Sequence, residues 1–418
     1  MAKTRQLQVK TPRPVKTVHI YKSSLQKCSF CQRALICKKS RSIAQGRLFS
    51  SESITAIASQ AKYCPKCRLY MRCNFVWLGG QKINCMTFNQ LQKSGLYFVT
   101  SNTAFTMKYL ELCYLRLLRA KTSPGQEAAV RNIADGDHVE MFWSDSLRKH
   151  LLHALEGYAV AKRQPDKVVE FNLDFPAKTV IKITKPIMLF PPSVPVTSVG
   201  FDGHFGVHRA LLTPVESPRQ VPLKGRPMKL LYEHDRSCHC AKKDSVRQVL
   251  PDRTAGWQFA VDPCTGKVLG AYEHRINERN EDKVDLLQQV LSMPLVSADL
   301  LLHDDACHFE SYVKKYECEG FENIKYYMVD CFHMKNHRCS KSTWTPKEKK
   351  RAKNVRTNMS ETFNAWIRPL NFFLNSLRPH SHKFWVEEAI LFHNQYAQPL
   401  SSILSSRKNA KSRSMRPK

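Results

Sequence analysis

The residues of this chain best placed to do chemistry are acids at the ends of short apolar runs. Leu300-Leu301-Leu302 breaks into His303-Asp304-Asp305, and a second run, Ile324 to Val329, ends in Asp330. Upstream, Val199-Gly200-Phe201-Asp202-Gly203 sets an acid inside a strand-like stretch; downstream, Met359-Ser360-Glu361 opens a helix with a glutamate in its first turn. Apolar runs of about four to six residues read as buried strands, and acids at strand ends sit where open sheets place their sites. Two aspartates on strands and a glutamate on a late helix suit two-metal phosphoryl transfer, in which divalent ions about 4 Å apart activate the attacking oxygen and stabilise the leaving one. Mg²⁺ or Mn²⁺ needs few protein carboxylates beside its waters. Asp202, Asp304 and Glu361 are therefore the candidate catalytic and metal-binding residues, with Asp305 and Asp330 as substitutes. Taken singly, each acid is more often a turn, cap or surface residue, and Asn358 with Glu361 has capping-box spacing; the order and spacing of all three favour the site.

Cysteines supply a second kind of chemistry. Cys28-Ser29-Phe30-Cys31 and Cys64-Pro65-Lys66-Cys67 are two C-x-x-C knuckles whose thiolates can meet one tetrahedral Zn²⁺. The 32 residues between Cys31 and Cys64 exceed the usual zinc-ribbon spacing and imply an inserted loop. Cys37 and Cys73 are spare candidates; buried thiols or a redox pair are the competing readings. Cys331, His333, His337 and Cys339 form C-x-H-x₃-H-x-C, a second candidate zinc set, against which stands a His pair hydrogen-bonded near the acids.

Positioning these groups requires a layered domain. Val196 to Phe205, Trp257 to Val261, Val268 to Tyr272, Leu300 to Leu302 and Ile324 to Val329 read as strands. Asp262-Pro263-Cys264-Thr265-Gly266 is a hairpin signal. Helices are expected over Asp282–Leu291, Phe309–Glu317, Met359–Leu377 with a break at Pro369, and Lys383–Tyr396. Strand, hairpin, helix, strand, helix, strand, helix is the order of the ribonuclease H fold, in which the first and fourth strands are neighbours. That order makes Asp202 and Asp304 adjacent. The fold class is thus α/β: a ribonuclease H-like mixed sheet flanked by helices, preceded by a small zinc-binding cysteine module and a helical region. In that region Leu96 to Val99 reads as a strand, Phe105 to Leu118 as a helix capped by Asn102 or Thr103, and Met141 to Ala161 as a second helix. Val168 to Leu173 and Thr179 to Ile183 are strand-like. The expected divisions are a basic disordered arm (1–22), the cysteine cluster (23–75), a mixed or helical connecting domain (76–190), the catalytic domain (191–400) and a basic tail (401–418).

Charge narrows the partner. The formal net charge is +31 over 418 residues. Acids are absent before Glu52, while the first fifty residues hold twelve Lys or Arg. The stretch Lys341 to Arg356 carries seven Lys or Arg ahead of Glu361, and Ser405 to Lys418 carries six and no acid. Such a balance argues for a polyanion, most simply DNA, with an anionic membrane surface as the weaker choice. No run approaches the roughly 18 to 20 apolar residues of a membrane span. Fifteen Cys without a secretory leader suit a reducing compartment. The basic runs suit nuclear import, or equally a solvated surface.

The motifs around Asp202 and Glu361, His303-Asp304-Asp305-Ala306-Cys307-His308, and Asp330-Cys331-Phe332-His333-Met334-Lys335-Asn336-His337 together resemble the KDZ (Kyakuja–Dileera–Zisupton) transposases. The resemblance covers roughly residues 25 to 397. It implies a ribonuclease H-like DDE transposase that cleaves and transfers DNA strands at transposon ends, in the nucleus, with Asp202, Asp304 and Glu361 as its triad. It also implies an N-terminal zinc cluster that helps hold DNA. His308 departs from the family, where Gln is commoner. The alternatives are a domesticated zinc protein that binds DNA without cutting it, and another ribonuclease H-like nuclease. A homo-oligomer is an open expectation.

Overall fold

The structure, a computed structural model, describes residues 19–37, 43–78, 81–134, 145–168, 186–189, 192–210, 253–274, 278–331, 333–334, 350–353 and 355–397. Most of the basic arm, the strand-like runs after Val168, the Lys341 to Arg356 segment up to residue 349, and the basic tail lie outside them. Two compact units make up the chain, Met1–Thr179 and Val180–Lys418. Each is a mixed α/β arrangement.

The first unit holds nine strands among its described residues, β1 (His19–Lys22), β2 (Ile43–Phe49), β3 (Ile54–Gln60), β4 (Lys62–Cys64), β5 (Leu69–Met71), β6 (Phe75–Leu78), β7 (Gln81–Asn84), β8 (Leu96–Phe98) and β9 (Thr103–Thr106). They form a five-stranded sheet, β1-β3-β2-β9-β8, and a four-stranded meander, β4-β5-β6-β7. The segment between the two knuckles is thus mainly a β-hairpin: β2 and β3 pair from Ile43↔Gln60 to Phe49↔Ile54. A Cβ at Gly46 would lie 2.0 Å from the Asn102 carbonyl oxygen, so only glycine lets β2 run that close. Helices α1 (Phe88–Ser94), α2 (Met107–Ala120), α3 (Pro124–Ala134) and α4 (Asp145–Arg163) complete the unit. Neither Asn102 nor Thr103 caps α2. Thr103 opens β9, which pairs with β2, and the hydroxyl of Thr106 accepts from the Tyr109 N–H instead. The apolar faces meet where Tyr114 of α2 packs on Tyr158 of α4, ring centroids 5.7 Å apart.

In the second unit β10 (Ile187–Met188), β11 (Val196–His204), β12 (Gly256–Val261), β13 (Val268–His274), β14 (Val296–Leu302) and β15 (Tyr326–Met328) form one mixed sheet in the order β10-β13-β12-β11-β14-β15. The pairs from β10 to β11 are antiparallel, and β11–β14 and β14–β15 are parallel. Side chains alternate across the central strand β11. Phe201 faces the side covered by α5 (Asn280–Leu291) and α6 (Ala306–Lys315), in one core with Leu286, Leu287, Leu301 and Phe309. Gly200 and Asp202 face the side covered by α7 (Met359–Ile367), where Ser360 and Asn364 meet them. The expected break at Pro369 is present: a 3₁₀ turn, Arg368–Leu370, separates α7 from α8 (Asn371–Asn375). Helix α9 (Pro379–Tyr396) closes the second face, with the Trp257 indole N–H donating to His382 Nε2 at 3.0 Å. No helix among the described residues is long and apolar enough to cross a membrane.

Candidate functional site

The acids gather where β11 and β14 end. Gly200 pairs with Leu302, and Asp202 and Asp304 have the same separation in sequence. Continued past the last pair, that register puts Asp202 level with Asp304, one on the strand and the other just beyond its neighbour. Burial pushes the Asp202 carboxyl well above its ordinary range. The nearby Asp304 carboxylate adds to the rise, and Glu278 and Glu361 add smaller contributions. Four carboxylates thus share one field.

Glu361 reaches this field from α7. Asn358 at the N-cap makes no side-chain cap bond, so the capping-box reading is not realised and the Glu361 side chain is not tied to the helix end. Its Oε1 lies 3.7 Å from His333 Nε2, and His333 Nδ1 lies 2.7 Å from Asp330 Oδ2. Asp330 and His333 therefore sit beside the Glu361 corner. Cys331 is exposed, while His337 and Cys339 lie outside the described residues, so the second cysteine–histidine set is represented here by half its members.

A part of the site that the sequence reading did not single out surrounds Glu278. Its carboxylate, the His303 ring and the Asp304 carboxylate offer ligand atoms within 4.8 Å of one another. Glu278 Oε1 lies 3.0 Å from Lys283 Nζ and 3.2 Å from His303 Nε2. Lys283, fully buried, also reaches Asp305 Oδ1 at 3.3 Å, and His303 Nδ1 contacts Asp304 and stands 2.9 Å from Asp305 Oδ1. Burial alone disfavours the charge on Glu278, yet Lys283 and His303 outweigh it and hold the carboxyl below its usual range. Burial and Lys283 likewise oppose charge on His303, but the Asp305 and Asp304 carboxylates prevail and raise its pKa well above the ordinary value.

Behind Glu278 runs a chain of oriented dipoles. The buried Gln258 amide satisfies its neighbours when its oxygen accepts from the Asp202 backbone N–H at 3.1 Å and its nitrogen donates to His274 Nε2 and Glu278 Oε1. His274 then donates from Nδ1 to Asp282 Oδ2 at 3.1 Å, and Arg279 holds the other Asp282 oxygen at 2.6 Å. Every member fixes the tautomer or orientation of the next.

In the first unit the four cysteines of the two knuckles come together. Their sulfurs lie within 4.8 Å of one another, with Cys28 and Cys64 buried and Cys31 and Cys67 partly so. The two knuckles share one local design. The N–H of Gln32 donates to the Cys28 carbonyl, that of Arg68 to the Cys64 carbonyl, and both residues adopt left-handed φ (59° and 56°). The bridge Lys27↔Ala34 closes the first knuckle, and Ile36↔Tyr63 ties it to the second. The Cys67 N–H, with help from the neighbouring thiols, brings Cys64 down to about 7. The hydrogen bond with Cys31, burial and Cys28 push Cys67 up to about 12. One thiolate forms readily and a further one is resisted, which is the state a bound cation relieves. This four-cysteine cluster is able to bind a metal ion such as zinc.

Comparison of the chain with protein-family models, with curated proteins and with solved structures finds no match.

Proposed function

We propose that the second unit is a ribonuclease H-like domain carrying out metal-dependent phosphoryl transfer on DNA, and that the chain is a DDE transposase of the KDZ kind. The observation that carries this reading is that Asp202 on β11 and Asp304 just past its parallel neighbour β14 lie close enough for Asp304 to raise the Asp202 carboxyl, with Glu278 and Glu361 adding smaller contributions. The strand order β13-β12-β11-β14-β15, antiparallel then parallel, is the order expected of that fold. In a chain of net charge +31, a cluster with more carboxylates than the Lys283 and His303 that face them suits divalent ions.

The residues present suit such ions on a second ground. Asn364 is 2% exposed, and its Oδ1 has no hydrogen-bond partner although its amide nitrogen donates to Asp202. A buried oxygen left open beside a carboxylate is a hard donor of the type Mg²⁺ or Mn²⁺ accepts. Asp202, Asp304 and Glu361 would hold the ions, which supply positive charge to the phosphoryl oxygens and lower the pKa of an attacking hydroxyl. The chain's own groups do the rest. Lys283 and His303 keep Glu278 ionised and hold the Asp305 carboxylate in place, Gln258 anchors the backbone at Asp202, and Asn364 sets the rotamer of Asp202.

The cysteine cluster is assigned to Zn²⁺, whose four-thiolate preference its donor set meets. It would staple the first unit and present its basic surface to DNA. A nuclear protein follows from a DNA substrate. The test is strand nicking of supercoiled DNA with and without Mg²⁺ or Mn²⁺. Metal-dependent nicks that disappear in Asp202→Asn and Asp304→Asn are expected. Nicking unchanged in either variant would overturn the assignment, and salt-sensitive binding with no product from the intact chain would leave a DNA-binding protein descended from a transposase.

A further inference from the structure

Two residues past Asp202, the chain leaves β11 and lines an open cleft of about 530 Å³, within the roughly 300–1,000 Å³ range of small-ligand sites. Its walls are Gly206, Arg253, Arg368, Asn371, Phe372 and Asn375. Phe372 is 94% exposed, the most exposed of the large apolar side chains described. The residues after it explain why it points outward: Phe373 and Leu374 are the buried members of α8, and Phe373 packs edge-on against Trp385 of α9 at 5.6 Å. The ring is therefore presented to solvent on a helix whose inner face is anchored.

The cleft floor is built, not incidental. Asn375 donates to the Gly206 carbonyl at 3.0 Å and accepts from the His208 N–H at 2.9 Å. Arg253 leans on His208 Nδ1 at 3.2 Å and on the Asn375 carbonyl at 3.4 Å. His204, the last residue of β11, meets the Asn371 amide oxygen at 3.4 Å. The cleft is thus mechanically joined to the strand that carries Asp202.

A lone exposed apolar residue is ordinary on a protein surface. An exposed ring on the rim of a cleft that also holds two arginines, in a strongly basic chain, is a different arrangement. Guanidinium groups bind phosphate oxygens, and an accessible ring face stacks on any base. Inside an undistorted duplex the base faces are covered, so the ring is best used on an unpaired nucleotide.

We propose that this cleft binds an unpaired nucleotide of single-stranded DNA, its base stacked on Phe372 and its phosphates held by Arg253 and Arg368. The proposal takes its choice of ligand from the reading of the chain as a DNA-processing protein, and it adds a second contact beside the acids. It gives the strand leaving the acidic site a fixed seat.

The test separates stacking from cleavage by working without added Mg²⁺ or Mn²⁺, where no strand is cut and the cysteine cluster keeps its ion. The full chain is titrated with a single-stranded oligonucleotide carrying 2-aminopurine at successive positions, and with the corresponding blunt duplex. Quenching of 2-aminopurine at one position is expected. Phe372→Ala should abolish that quenching and weaken single-strand binding about 5- to 150-fold while leaving duplex binding unchanged, and Phe372→Trp should restore both. Arg368→Gln should reduce the salt dependence of single-strand binding by about one ion. Unchanged quenching and affinity in Phe372→Ala would overturn the proposal, whether or not the intact chain cuts DNA. So would a shift of Phe372→Ala from dimer to monomer in light scattering with no change in DNA binding, which would make the ring a protein contact. If nicking fails but the quenching holds, the cleft stands and the catalytic reading falls.

Discussion

The Asn364 side-chain amide donates to Asp202 Oδ2 at 2.8 Å, linking helix α7 to the central strand β11 across the mouth of the acidic site. A turn earlier on the helix, the Ser360 hydroxyl oxygen lies 3.0 Å from where a Cβ on Gly200 would stand. The helix that carries Glu361 is therefore held against the strand that carries Asp202 by a polar contact at one point and close packing at another.

This contact gives two substitutions opposite signs. Without divalent ions, Asp202 is a carboxylate raised by burial and by Asp304. Asp202→Asn removes the buried charge and the repulsion and should stabilise the metal-free chain at neutral pH. Asn364→Asp sets a like charge against Asp202 and should destabilise it by about 1–3 kcal/mol at neutral pH, recovering as the solution is acidified. Urea unfolding without added Mg²⁺ or Mn²⁺ checks both. Equal and same-signed changes would contradict the repulsion.

Lys283 is the cation on which the buried acids depend. Its Nζ is within 3.3 Å of Glu278 and Asp305, and burial leaves it little contact with water. Burial disfavours its charge, but Asp305 and Glu278 more than compensate and raise its pKa above the ordinary lysine value. Lys283→Met keeps the volume and removes the charge, leaving two carboxylates to face each other. A loss of about 3–5 kcal/mol is expected, as for breaking a buried pair. Lys283→Arg should lose less. A Met variant as stable as the parent would show that water or another cation already serves these acids.

The four-cysteine cluster makes a prediction about metal content. The purified chain should hold about one equivalent of zinc through four thiolates, and Cys64→Ser should lose most of it. Because such a site is built only on folding, its loss should also unfold the surrounding knuckles. Cys37→Ser should retain zinc, since Cys37 is exposed and outside the cluster. Elemental analysis with circular dichroism before and after chelation reads both effects. Zinc retained in Cys64→Ser would place the ion elsewhere.

Much of the acidic site was legible because apolar runs such as Leu300 to Leu302 are long enough to read as strands and end in acids. Glu278 was not. It stands in Asn277-Glu278-Arg279-Asn280-Glu281-Asp282, where nothing local separates a site residue from a solvated one. Its role follows from its place in the fold, where its carboxylate lies against Gly203, whose missing side chain leaves room for it. The β-rich character of the first unit was hidden for a related reason. Strand β2 reads Ile-Ala-Gln-Gly-Arg-Leu-Phe, with a glycine at its centre and weak alternation, and pairing with β3 and β9 supplies what its own propensity lacks. The knuckles were legible from spacing alone, whereas the hairpin between them looked like a loop.

A last prediction concerns acid sensitivity away from the carboxylates. His382, in the first turn of α9, is fully buried, its Nδ1–H donating to the Leu374 carbonyl at 2.9 Å while Nε2 accepts from the Trp257 indole. Both ring nitrogens are committed to the neutral form. Burial brings the pKa down to about 4, the Leu374 carbonyl opposes that fall, and Arg209 and His208 add to it. In the unfolded chain the same ring titrates near 6.5, so the unfolded state takes up a proton first as the solution is acidified. The contribution of the neutral ring is therefore complete above about pH 6.5 and is lost as the pH falls from there through about 4, a change of about 3 kcal/mol. Denaturant midpoints at several pH values in this window should fall more steeply for the parent than for His382→Gln, which is less stable at neutral pH but has no ring to protonate. Identical slopes would mean that the ring takes up its proton as readily in the folded chain as in the unfolded one across this window. The Trp257 N–H would then lack its acceptor, and the packing of α9 on the sheet would need another explanation.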